Sequence, residues 1–187
     1  MFKRTRDYAK DYERNGSAVR YIGKHYYFDM EQSALLWRKV GYLALLLAAC
    51  AFFIAIGFSG SAALGAGGGR TPIYVVLPYV ALLLPLGLGL ARAVMLVLKS
   101  RLLEYAEYDK YIEQQKGVLL SALFVCGILL LGLLAFLLFG SAKIAGQFTA
   151  IAECMLCAGC IFLAFRQYHA LSVCIAIDEP ASVRYDI

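Results

Sequence analysis

The chain has 187 residues, of which 61% are hydrophobic and 17% charged, with a net charge of +5. A soluble domain of this length carries an apolar share of about one half, so the excess must face lipid and an ordinary soluble domain is excluded. Nucleic-acid binding is excluded as well, because the bases are interleaved with acids and form no dense cluster; a positive balance of this kind points to anionic lipid.

Residues 1–15 are polar and mixed in sign, with Tyr8 and Tyr12 one helical turn apart, and they predict a short surface helix ended by Gly16. The first apolar run begins near Val40, too late for a secretory signal peptide, so the first span is expected to stay in the protein. Residues 18–28 are rich in β-branched and aromatic side chains and alternate imperfectly, which is the pattern of one short strand or a hairpin outside the membrane. Residues 171–177 form a second such segment. On one side of the bilayer the two could pair into a small terminal β ribbon, which needs something to pack on. His25 reads as a strand or interfacial residue rather than a ligand.

Asp29 and Gln32 have the spacing of a capping box. No breaker follows until Ser59-Gly60, which predicts one helix with an amphipathic foot and a spanning body at residues 40–58. Trp37 suits the headgroup belt, and Arg38 and Lys39 suit the phosphate level. An apolar body of about 19 residues matches a hydrocarbon core of roughly 30 Å. Residues 59–70 read as a flexible glycine-rich connector. Their Gly-Gly-Gly is not followed by Lys-Ser/Thr, so no phosphate loop is implied.

Thr71-Pro72 opens the second span, residues 73–97. Pro78 and Pro85 share a face, and each removes a backbone hydrogen bond, which predicts a kinked helix whose freed carbonyls are taken up by neighbours. Arg92 is expected to snorkel toward the basic interface, with a phosphate or an acid from the next loop as partner. Residues 99–116 are balanced in sign and predicted helical. Tyr105, Tyr108 and Tyr111 there are a candidate protein-docking surface, against the plainer reading of a solvated helical hairpin. The third span, residues 118–139, is the most aliphatic, and Ser121, Ala122 and Gly127 offer small surfaces without a clean small-xxx-small pair. The fourth, residues 148–166, holds Glu153 and three cysteines, Cys154, Cys157 and Cys160. Asp178-Glu179-Pro180 stops any regular element before a polar tail.

Of the eighteen Lys and Arg residues, sixteen fall in the N-terminal segment, in residues 92–116 or after residue 165, and only Arg70 and Lys143 lie in the two opposite connectors. The positive-inside rule then places both termini and the central loop in the cytoplasm. The fold class expected is an all-α integral membrane protein of four transmembrane helices in two hairpins. A cytoplasmic segment 1–39 precedes the transmembrane domain 40–168, and a cytoplasmic tail 169–187 follows it. A shift of 76 residues sets Gly41 on Gly117 and Cys50 on Cys126, a hint of internal duplication.

An acid inside a span is a functional candidate by default, and Glu153 could instead pair with Lys143 or Arg70 or reach the outer interface. Cys154, Cys157 and Cys160 spread over one broad helical face, and Cys50, Cys126 and Cys157 lie near mid-span. A thiolate metal site or redox relay is therefore possible in geometry, set against the packing role of a small apolar residue. Ala150, Cys154 and Ala158 form a small-residue face suited to close helix contact. No serine with a partner histidine, no paired carboxylates and no HExxH occur, so an enzyme is not expected and no cofactor is implied. The leading expectation is a non-enzymatic accessory or scaffold subunit in the cytoplasmic membrane, with lipid and another membrane or cytoplasmic protein as partners. The alternatives are a small transporter or channel subunit using Glu153 and the proline-kinked span, and a thiol redox or metal-binding membrane protein.

Overall fold

The computed structural model describes residues 12–15, 18–21, 25–65, 72–99, 102–139, 144–173 and 175–178. The chain forms β1 (Tyr12–Asn15), β2 (Ala18–Tyr21), β3 (His25–Phe28), α1 (Gln32–Gly65), α2 (Ile73–Leu98), β4 (Leu102–Glu104), a one-turn α3 (Tyr105–Tyr108), a π-helical turn (Asp109–Glu113), α4 (Gln114–Phe139), α5 (Ile144–Val173) and β5 (Ile175–Asp178). Among the described residues four helices, α1, α2, α4 with the turns before it, and α5, are long and apolar enough to cross a membrane. The protein is a multi-pass helical bundle. α1 packs on α5 and α2, and α4 packs on α2 and α5, so the four form a closed ring with α1 diagonal to α4.

The packing pattern is a seven-residue repeat. Buried positions in α1 are Leu35, Lys39, Tyr42, Leu46, Ala49, Phe53 and Ile56, and in α5 they include Gln147, Ala150, Cys154, Cys157, Ile161, Ala164, Tyr168 and Leu171. Both series advance in alternating steps of three and four, as does the series from Ile112 in the π turn through Gln115, Leu119, Ala122, Cys126, Leu129 and Leu133 of α4. That spacing keeps one seam facing its neighbours and gives the shallow left-handed crossing of coiled coils and four-helix bundles. The positions between are as apolar but face outward: Phe58, Leu77, Phe124, Leu131 and Phe162 are all exposed, as lipid contact requires. The seam is enriched in small residues, Ala49, Ala93, Ala122, Ala150 and Ala164, which let backbones approach.

The 76-residue shift keeps this register only in part: it sets the buried Lys39, Leu46 and Phe53 on the buried Gln115, Ala122 and Leu129, but Tyr42, Ala49 and Ile56 on half-buried positions. Cys126 is fully buried, whereas Cys50 is only half-buried and lies beside the seam rather than in it.

Pro78 and Pro85 both face the core of α2, and the helix continues through them. Pro78 has no N–H to offer the Tyr74 carbonyl one turn earlier. That carbonyl lies 2.9 Å from where a β-carbon on Gly132 of α4 would stand, so the missing side chain of Gly132 admits the freed oxygen. A comparable device holds α1 to α2: Tyr79 stacks on Phe53 with ring centroids 4.5 Å apart, and its hydroxyl donates to the Phe53 carbonyl at 3.3 Å. The hydroxyl reaches it across the space a side chain on Gly57 would fill.

One end of the bundle is closed by a sheet. β1 and β2 pair as an antiparallel hairpin, so the part of the expected N-terminal surface helix that is described, residues 12–15, is extended; the remainder lies outside the described residues. β3 pairs antiparallel with β4 and β5 in the order β4-β3-β5. The terminal ribbon expected between residues 18–28 and 171–177 is thus present as β3 with β5, narrower at both ends. α5 continues to Val173 because Tyr168 and Leu171 still occupy its seam. The support that a two-stranded ribbon lacks comes from β4 and from the bundle beneath. Tyr26, Phe28 and Leu103 point inward at alternate positions and join Tyr42, Leu96, Ile112, Leu119 and Tyr168 in one core cluster. β3, β4 and β5 adjoin the start of α1, the end of α2 and the end of α5, which places those three helix ends at the same end of the bundle.

Further boundaries differ from the sequence reading. α1 begins at Gln32, with the Leu35 N–H bonded to the Glu31 carbonyl at 2.9 Å, so Asp29 is not its cap. At its other end α1 runs on to Gly65, through half of the expected connector. Residues 102–113 are a strand, a single turn and a π turn instead of a continuous helix, because Leu103 is drawn into the sheet and Tyr111 and Ile112 are both buried side by side.

Candidate functional site

Polar and thiol groups enter the apolar core at several levels, each assembled from different helices. Toward the end away from the sheet, Ser59 Oγ of α1 donates to Glu153 Oε1 of α5 at 2.9 Å. α5 starts at Ile144, so Glu153 is about two and a half turns in, deeper than the one and a half turns expected from a span beginning at residue 148. α1 also continues past Ser59, which sets the pair inside the length of the bundle and not at its rim. Glu153 Oε2 is buried without a hydrogen-bond partner, as is Nε2 of Gln147, a residue only 4% exposed. Lys143 and Arg70, the expected partners of Glu153, lie outside the described residues. The buried Oε2 is thus an acceptor open to a donor from within the bundle.

At mid-span α4 and α5 meet thiol to thiol. Cys126 Sγ and Cys154 Sγ are 3.9 Å apart, and each sulfur lies 3.8 Å from the other residue's carbonyl oxygen. Cys157 turns to α1, its sulfur 3.4 Å from the Ala49 carbonyl. All three are fully buried, while Cys160 is half-buried on the flank. Cys126 also lies against the Cys157 thiol, so two of the expected trio, Cys154 and Cys157, share Cys126 as a neighbour, and Cys160 stays on the flank. A disulfide needs sulfurs about 2.05 Å apart, and the five described cysteines are free thiols. Among the described residues no three Cys, His, Asp or Glu side chains are grouped to hold a metal ion. Ala150 and Cys154 lie in the seam as the small-residue face anticipated, with Ala158 half-buried beside them.

Nearer the sheet, Gln115 of α4 reaches across the ring. Its Nε2 donates to the Tyr42 hydroxyl of α1 at 2.6 Å and to the Gly89 carbonyl of α2 at 3.2 Å, while its Oε1 has no partner. Gln115 and Tyr42 were not legible as site residues in the sequence; the signal was an amide at a seam position of the heptad, visible only once the seam is known. On the flank of the same seam, Arg92 Nη2 donates to Gln114 Oε1 at 3.1 Å, and Nη1 is buried without a partner. The acid from the next segment, Asp109, accepts from Gln114 Nε2 at 3.1 Å instead of from Arg92.

Lys39, expected at the headgroup level beside Arg38, turns inward. It is 3% exposed, donates from Nζ to the Lys99 carbonyl at 2.9 Å, and lies 5.0 Å from the centre of the Phe28 ring. A cation at the last carbonyls of α2 satisfies an orphan acceptor and complements the helix dipole. Arg38 and Trp37 remain exposed, as their interfacial roles require. Lys99 itself pairs with Glu107. The hydrogen bond and charge of that carboxylate raise the Lys99 ammonium above the ordinary lysine range.

The tyrosine surface is largely used up within the chain. Tyr108 stacks on Tyr26 of β3 with centroids 4.1 Å apart, and Tyr111 is buried under the sheet. The side chain of Tyr105 lies outside the described residues. The π turn that buries Tyr111 also presents the Ile112 carbonyl to the Tyr168 hydroxyl of α5, tying the central segment to the last helix. No protein-family model, no curated protein and no solved structure matches this chain.

Proposed function

We propose that this multi-pass protein is a non-enzymatic accessory or scaffold subunit of a membrane assembly, oriented with its sheet and both termini in the cytoplasm of a cell membrane. The observation that carries the reading is the filled middle of the bundle. Leu82, Cys126, Leu129, Cys154 and Cys157 are each 0% exposed and interdigitate across the ring, which leaves the outer apolar faces as the surface for partners. The concentration of Lys and Arg at the sheet end supports the orientation. The stacking of Tyr108 and the burial of Tyr111 shift the expected docking surface from the cytoplasmic tyrosines to the helices. A photoreactive phenylalanine analogue placed singly at the exposed Phe58, Phe124 and Phe162 tests this in native membranes. One face should yield a discrete protein adduct and the others only lipid; lipid adducts at all three positions would overturn the reading.

A second reading, a small proton-coupled transporter subunit, is favoured by one observation, the buried Glu153 oxygen without a partner beside Ser59. In proteoliposomes with a pH-sensitive dye, the native chain should dissipate a proton gradient and Glu153→Gln should not. Equal rates for the two proteins would remove Glu153 from any coupling role.

A further inference from the structure

We propose that the seam between α2 and α4 at Arg92 binds the phosphate of an anionic phospholipid. Arg92 stands six residues before the end of α2 at Leu98, about 9 Å along the helix, a depth from which a long side chain reaches the headgroup boundary. Its charge meets no acid directly among the described residues. One Nη donates to the neutral Gln114 amide and the other is buried without a partner, while Asp109 bonds to Gln114. A half-buried guanidinium with one buried, unpartnered Nη and only an amide oxygen on the other is undercompensated.

A phosphate meets that need better than an amide, because two of its oxygens match the two-pronged guanidinium fork. It would displace the Gln114 contact, which is solvent-exposed and replaceable. The surroundings suit a lipid more than a free anion. Leu88 and Met95 on the same helix are 45% and 51% exposed and offer an acyl surface. On α4, Gly117 opens onto unfilled space where a side chain would stand.

The test is thermal unfolding of the detergent-solubilised full chain with added phosphatidylglycerol, phosphatidylcholine or inorganic phosphate at matched phosphate concentration. Phosphatidylglycerol should raise the unfolding temperature by on the order of 3 °C more than phosphatidylcholine. R92Q should lose most of that increment, and K116Q, at the exposed Lys116, should keep it. An increment undiminished in R92Q, or lost equally in K116Q, would overturn the site. Inorganic phosphate acting as strongly as phosphatidylglycerol would replace the lipid by an adventitious ion only. Should R92Q fail to fold, native mass spectrometry of R92K decides: at least a threefold loss of phosphatidylglycerol preference over phosphatidylcholine supports the fork, and an unchanged preference overturns it.

Discussion

At Lys39 the neighbours, not the residue type, set the role. Arg38 and Lys39 are adjacent bases at the foot of the same helix, one exposed and one 3% exposed. The difference is a matter of heptad phase: Lys39 occupies the seam, where the end of α2 presents the Lys99 carbonyl and β3 presents the Phe28 ring. Charge-assisted hydrogen bonds contribute roughly 1.5–3 kcal/mol, and a buried carbonyl left unpaired adds a penalty. Lys39→Met should therefore lower stability by about 2 kcal/mol in chemical unfolding from mixed micelles, and Arg38→Met by less than about 0.5 kcal/mol. Equal losses would show that Lys39 does not cap α2. Both bases were legible in the sequence as an interfacial pair, and only their separation into two roles was not.

At the scale of elements, a proline on one helix explains a glycine on another. Pro78 and Pro85 announced missing hydrogen bonds in α2, and the expectation that neighbours take up the freed carbonyls needed a partner that the sequence did not single out. Gly132 gives the Tyr74 carbonyl room against α4, by close approach and not by a hydrogen bond. Gly127, five residues earlier on α4, has nothing within reach of an added β-carbon. Gly132→Ala should thus destabilise by about 1–3 kcal/mol through overpacking against backbone. Gly127→Ala should be neutral or stabilise by about 0.5–1 kcal/mol through helix entropy. Unfolding midpoints that move in the same direction for both variants would refute the contact. The short elements between α2 and α4 depart from the expected helix for a related reason. Residues 99–116 favour helix locally, but Leu103 completes the sheet and the π turn buries Tyr111 and Ile112 together, so tertiary burial outweighs local propensity.

At the scale of the whole molecule, lipid and core are nearly equivalent solvents for an apolar side chain, and packing alone separates them. Leu129 and Leu131 are two residues apart in a uniformly aliphatic helix, the first 0% and the second 67% exposed. Leu129→Ala should cost about 2–5 kcal/mol because a cavity opens in the seam. Leu131→Ala, which only exchanges one lipid contact for another, should cost less than about 1 kcal/mol by the same assay. Comparable losses would mean that the heptad seam is not the source of stability.

The sequence by itself determined that the chain is a multi-pass membrane protein with four spans, because length and hydropathy are properties of each segment alone. It also pointed to a terminal ribbon and to Glu153 as an acid in the fourth span. The tertiary structure decided which side of each span is the seam, since the outward faces are equally apolar and leave no amphipathic signal to read. It likewise decided that Cys126 meets Cys154, that Ser59 holds Glu153, and that Gln115 joins α1, α2 and α4. Each of those contacts joins residues at least 26 positions apart, and their meeting depends on helix rotation and register, which only packing in three dimensions fixes.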